Sequence, residues 1–192
     1  MIANPAVVAA WDGPSALRKF TVSGLCGHLA RATLAVDEYL DLPEPAGPAV
    51  ATAADYFAAL PLDDIDSDLN AGIRRRGDAA AAAGHSAIIT KLQQAQRRLG
   101  TRLQSEPPGR MMRVFGEQAM RLDDYLATRL VELALHVDDV CVSVGIDTPP
   151  VPGAGTAITT LVEVARKRSG DIAVLRALGR RERDPAAALR VL

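Results

Sequence analysis

Aromatic residues make up only 4% of this 192-residue chain. Its core must therefore be filled by Leu, Val, Ile and Ala, which suits closely packed helices. Cysteine is equally scarce. Cys26 and Cys141 stand alone, far apart and outside any CxxC spacing, which argues against a disulfide framework or a zinc ribbon and fits a reducing cytoplasm. Both are read as structural thiols. No apolar run approaches the roughly 18 residues of a membrane span, and Met1–Ala6 lacks the basic-then-apolar pattern of a signal peptide. The net charge of −1 offers no long-range attraction for nucleic acid or an anionic membrane. Arg74–Arg76 and Arg180–Arg181 are read as solvated helix surface. There is no glycine-rich phosphate loop, and Ser23 and Ser86 lack the His–Asp partners of a serine hydrolase.

Nearly half of the chain, 48%, is hydrophobic, so it has the apolar content of a globular protein. A short apolar stretch, Ala6 to Trp11, stops at the turn signal Asp12-Gly13-Pro14. A helix is expected from Thr21, a good N-cap, to about Leu40. Pro43, Pro45 and Pro48 make the next segment a loop. A weaker helix is expected over Ala53–Leu60. A long helical segment follows over Asp66–Leu103, with breaks possible at Gly72, Gly77 and Gly84. Met111–Phe115 reads as extended. Asp123–Val144 is the most regular helix, closed by Gly145 as C-cap. Shorter helices are expected over Thr156–Lys167 and Asp171–Leu178, before a charged tail from Arg181. The fold class is thus all-α, an up-down four-helix bundle with short extra helices. Residues 1–152 form the bundle and 153–192 a helical extension packed on it or flexibly attached.

The helix Asp123–Val144 carries an unusual polar stripe. Each residue turns about 100°, so Tyr125, Arg129, Glu132, His136, Asp139 and Ser143 share one face. Leu122, Leu126, Leu130, Leu133, Val137, Val140 and Val144 line one side of it, and Val131, Leu135 and Val142 the other. The surface arc is assigned to Asp123, Ala127, Ala134, Asp138 and Cys141. A stripe between two apolar flanks is expected to be buried, where a carboxylate and an imidazole need partners. A divalent metal satisfies both; an internal ion pair of Glu132 with Arg129 or His136 does so too. The helix alone leaves these even. His28 adds weight to the metal, because it shares its own helix face with Leu25, Ala32, Ala35, Val36 and Tyr39. Side chains from facing helices are how bundles build metal sites. His85 is weighed as a fourth ligand against a surface or helix-break histidine, and the second reading is taken. The acidic run Asp63–Asp68 lacks the glycine and glutamate of an EF-hand loop and reads as solvated.

The same residues carry a resemblance. Phe20-Thr21-Val22-Ser23-Gly24-Leu25-Cys26-Gly27-His28-Leu29 resembles the W-T-V-x-D-L-x-x-H-L signature of the mycothiol-dependent maleylpyruvate isomerase N-terminal domain, of the DinB-like superfamily. Thr128-Arg129-Leu130-Val131-Glu132-Leu133-Ala134-Leu135-His136-Val137-Asp138-Asp139 resembles its second signature, T-R-x-x-E-L-x-x-H-x-x-D. Phe20 departs from the usual Trp and Gly24 from the usual Asp. The resemblance implies a zinc site of His28, Glu132 and His136, with Ni²⁺, Fe²⁺ or Mn²⁺ also tolerated by such ligands, and Arg129 and Asp139 beside it as orienting groups or as a structural salt bridge. It implies mycothiol as thiol cosubstrate, made nucleophilic by the metal toward a small electrophile, in a cytoplasmic, actinobacterial enzyme that could pair as a homodimer. The maleylpyruvate isomerases carry a separate C-terminal domain, for which the residues after Pro152 are too few. A stand-alone thiol transferase therefore fits better than the isomerase itself. The alternatives are a non-catalytic metal-binding or regulatory module, or a hydrolase using metal-bound water.

Overall fold

The computed structural model describes residues 1–62, 64–114 and 118–192. Among them are nine helices and one two-stranded ribbon: α1 (Pro5–Ala9), α2 (Val22–Leu40), α3 (Ala53–Ala59), α4 (Asp68–Ala81), α5 (His85–Ser105), β1 (Met111–Arg113), β2 (Ala119–Arg121), α6 (Leu122–Val144), α7 (Ala154–Ser169), α8 (Asp171–Gly179) and α9 (Ala186–Leu189). The all-α expectation holds. The ribbon is a local antiparallel pairing, Met112 opposite Met120. The expected extended piece is thus Met111–Arg113; its end at Phe115 lies outside the described residues.

Local chemistry sets the boundaries. Thr21 caps α2 by accepting from the Gly24 amide, Thr52 caps α3 and Ser67 caps α4 in the same way, each satisfying an otherwise unpaired amide. The long segment expected over Asp66–Leu103 divides once. Gly84, at φ 84°, starts α5, a backbone angle that side-chain-bearing residues rarely adopt. Gly72 and Gly77 stay inside α4. Gly145, at φ 67°, closes α6 as expected. The stretch expected only to be apolar, Ala6–Trp11, contains the end of a short helix capped by Asn4.

Helix α2 packs against α4, α5 and α6. Its contact with α4 is made by glycines. A Cβ on Gly27 would overlap the Gly77 carbonyl oxygen, and a Cβ on Gly77 would lie 2.5 Å from the Gly24 carbonyl oxygen and 3.3 Å from the His28 Cβ. The two backbones touch there without intervening side chains. Asp37, 6% exposed on α2, is paired with Arg98 of α5, its Oδ2 accepting from the Arg98 Nε at 2.9 Å. Three apolar clusters surround this frame, and α6 feeds all of them: Val140 joins Val22, Leu25 and Ile88; Val131 joins Phe57 and Val164; Tyr125 joins Val36, Leu40, Met112 and Met120.

The arc of α6 assigned to the surface is largely covered. Helix α7 packs against α6 and α3, with Ala134 and Leu135 against its cluster, and Cys141 is fully buried, its Sγ 3.8 Å from the Met1 Sδ. Only Asp123 and Asp138 of that arc are exposed. Conversely Val142, placed on an apolar flank, is 60% exposed. A helix with apolar residues on most of its circumference is wrapped from several sides. Arg168 of α7 donates to the carbonyls of Phe57 (3.0 Å) and Leu60 (2.8 Å) at α3 and of Val191 (2.9 Å) near the C-terminus, and Val164, Val174 and Val191 share an apolar cluster with Phe57 and Val131. No helix among the described residues is long and apolar enough to cross a membrane.

Candidate metal centre

His28 stands on α2 and Glu132 and His136 on α6, and the packing of these two helices brings them together. The Glu132 Oε2 lies 3.3 Å from the His28 Nε2 and 3.2 Å from the His136 Nε2. One donor atom from each residue lies within 4.8 Å of the other two. The imidazole rings are 4.6 Å apart at their centroids and inclined by 65°, so they converge rather than stack. All three side chains are mostly shielded, with 15–21% of each exposed. The stripe expected to be buried is therefore half-buried at this point.

The surroundings fix each ligand. The carboxylate Oδ2 of Asp139 lies 2.8 Å from the His136 Nδ1, which orients the ring so that its Nε2 faces Glu132. The Ser143 hydroxyl donates to the Asp139 carbonyl at 2.6 Å and accepts from the Ala16 amide at 2.9 Å, which anchors the 12–20 loop beside the stripe. Phe20, at the end of that loop, sets its ring 5.9 Å from His28. Gly77 of α4 lies behind His28. At Gly24, where the family signature carries Asp, a Cβ would come within 2.5 Å of the Asp78 carboxylate; a carboxylate from α4 occupies that side of α2 instead.

Electrostatics agree with a cation-seeking cluster. Burial pushes the Glu132 carboxyl up, but hydrogen bonds from His136 and His28 outweigh it and hold Glu132 well below the usual range. Burial alone would lower His136, yet the hydrogen bonds to Asp139 and Glu132 push it up to about 9. Two carboxylates thus stabilise a positive charge at this point.

The donor set fits a metal. Zinc bonds of about 2.0–2.2 Å in a tetrahedron place neighbouring donors about 3.3–3.5 Å apart, and the two His–Glu separations are 3.3 and 3.2 Å. Among the described residues this is the one group of His, Cys, Asp and Glu with such spacing. A model of the mycothiol maleylpyruvate isomerase N-terminal domain matches residues 3–141. The chain belongs to that family. No curated protein and no solved structure matches it. The family match covers α1 to most of α6 and so contains the whole triad, while α7 to α9 lie beyond it.

The remaining residues singled out from sequence sort clearly. Arg129 lies one turn before Glu132, its Cζ 5.0 Å from the centre of the Tyr125 ring, and does not bond Glu132. His85 opens α5 against Trp11, rings 5.8 Å apart, away from the triad. Cys26 is fully buried, and burial pushes its thiol up to about 12. Of the acidic run, Asp63 lies outside the described residues; Asp64 accepts from the Asp66 amide and Asp66 pairs with Lys19. Tyr56, not singled out from sequence, belongs beside the stripe: it feels the charges of Arg129 and Glu132 from α3. Its helix gave no periodic signal long enough to aim it.

Proposed function

We propose that this domain is a metal-dependent, mycothiol-using enzyme in which His28, Glu132 and His136 hold one divalent ion, zinc by preference, and activate a low-molecular-weight thiol for transfer or addition to a small electrophile. The observation that carries this is the convergence of three donor atoms within 4.8 Å of one another, inside a domain of the mycothiol family. We read α2, α4, α5 and α6 as the four helices of a DinB-like up-down bundle, and residues 153–192 as an appended helical cap.

Held by His28, Glu132 and His136, a divalent ion would supply the positive charge that favours thiolate over thiol near neutral pH. The chain's own residues do the rest. Asp139 keeps the proton on the Nδ1 of His136 and leaves its Nε2 free to bind. Phe20 and the 12–20 loop wall off the His28 side and limit water. Three protein ligands leave a coordination position open, as catalytic rather than structural zinc sites do. Arg129 stands one turn along the same face, where an electrophile would lie.

Metal content of protein purified without a metal-affinity step tests the premise. One equivalent per chain is expected, lost in His28→Ala with the helical signal retained. Turnover of mycothiol with a generic electrophile such as a chloronitrobenzene is expected in the loaded protein and lost in Glu132→Ala. A folded protein holding no metal overturns the site; a loaded protein inert toward every thiol–electrophile pair, yet hydrolysing esters, overturns the thiol chemistry.

A further inference from the structure

One turn from the triad, donors gather without acceptors. Arg129 is aimed by its neighbours: its Nε donates to the Thr128 Oγ1 at 3.0 Å, and that hydroxyl donates to the Tyr125 carbonyl at 2.6 Å. The guanidinium lies over the Tyr125 ring, and among the described residues nothing accepts from its terminal nitrogens. Tyr125 is 3% exposed, yet its hydroxyl has no hydrogen-bond partner among the described residues. Arg110 Nε is the sole sealed side-chain polar atom lacking one there, so the Tyr125 hydroxyl opens onto space that solvent can reach. Tyr39 sets its ring 6.2 Å from Tyr125, and Tyr56 feels Arg129 and Arg76. Burial raises the Tyr56 and Tyr125 phenols, so both remain donors. Glu132, the nearest carboxylate on this face, is occupied by the two imidazoles.

A half-buried guanidinium fork and a phenol that no protein group engages are free to donate to a ligand that takes the place of water. A planar group with two acceptor oxygens and one negative charge matches a guanidinium fork bidentately. A neutral carbonyl would leave the cation uncompensated. We infer that Arg129, with the hydroxyl of Tyr125, is an oxyanion subsite that binds a carboxylate carried by the electrophile, one helical turn from the metal ligands. This rests on the triad being the reacting centre. The subsite orients the electrophile along the α6 stripe, with its anionic end at Arg129 and its reacting carbon toward Glu132 and His136.

The test compares benzoate with benzamide, binding to the full chain by calorimetry, with metal content measured in every sample. Benzoate is expected to bind at least tenfold more tightly than benzamide. Arg129→Gln should weaken benzoate about tenfold or more and leave benzamide and metal content unchanged. Arg129→Lys, which keeps the charge and loses the fork, should recover only part of that, and Tyr125→Phe should weaken benzoate about threefold to tenfold. Equal binding of benzoate and benzamide, or benzoate binding that ignores Arg129, overturns the subsite. Benzoate binding that follows metal content instead places the anion on the metal, which sinks the subsite and leaves the metal reading standing. Benzoate binding that depends on Arg129 in a chain without metal does the reverse.

Discussion

Helix α2 meets two of its neighbours in opposite ways. Against α4 it gives up side chains altogether: Gly24 and Gly27 face Gly77, and backbone rests on backbone. Against α6 it presents His28, and the contact is made by two imidazoles and the carboxylate between them. The first contact is backbone against backbone, and the second is polar side chain against polar side chain. The two are joined through His28, whose Cβ is 3.3 Å from where a Gly77 side chain would begin. Glycine in a helix costs roughly 0.5–1 kcal/mol relative to alanine, so three glycines at one crossing are a real expense. They hold the helix that bears His28 in place from behind, while the opposite contact is left to polar side chains.

Filling the sealed contact should have the largest effect. In Gly27→Ala the new methyl meets the Gly77 carbonyl, a backbone atom that cannot swing aside. The helices must separate, and we expect a loss of about 3 kcal/mol or more in urea unfolding, with metal affinity falling because His28 moves. Gly100→Ala is the control. Gly100 is an exposed glycine inside α5 with nothing within 4 Å of its would-be Cβ, so the same substitution should stabilise by about 0.5–1 kcal/mol. Equal effects at the two positions would mean that the crossing is not tightly packed.

On the α6 side, Asp139→Asn separates an orienting role from a structural one. If Asp139 holds the tautomer of His136, the variant keeps its unfolding midpoint while metal affinity, measured against a competing chelator, drops by about 10–100-fold. A fall in stability with affinity unchanged would make the pair an ordinary salt bridge.

Sequence reasoning reached the second contact more readily than the first. Glu132 and His136 are four apart on a long regular helix, and apolar residues on both sides of them mark an inward stripe. His28 was legible because its own face is apolar. The crossing was not. Gly24, Gly27 and Gly77 are ordinary residues in sequence, and Gly77 read as a place where the helix could break, because nothing local says that another backbone will press against it. The covering of α6 by α7 was missed for the same kind of reason. Cys141 and Ala134 are small residues that look alike on a surface or beneath a helix, and only the partner decides. Arg129 lay on the right face from the start; that no carboxylate of another described element pairs with it is decided by packing, which the spacing along α6 does not show.

The smallest effect expected concerns pH and again contrasts the two sides of α2. Cys26 lies between Gly24 and Gly27, fully buried, and burial pushes its thiol up to about 12; Tyr125, on the α6 side, is pushed up to about 12 by burial as well. In both groups the folded pKa exceeds the unfolded one, about 8.5 for cysteine and 10 for tyrosine. The stability they contribute is therefore complete below the unfolded values and is lost as pH rises toward 12. The urea midpoint should stay level up to about pH 8.5 and then decline, Cys26 contributing from about pH 8.5 and Tyr125 from about pH 10. Cys26→Ala should flatten the first part of that decline and Tyr125→Phe the second. In the native protein at pH 8.5, iodoacetamide should leave Cys26 unmodified until urea unfolds the chain, because the thiolate is rare and the sulfur has no access to solvent. Rapid alkylation of Cys26 under native conditions would show that its cluster with Ile2, Val7 and Val140 does not close over the sulfur.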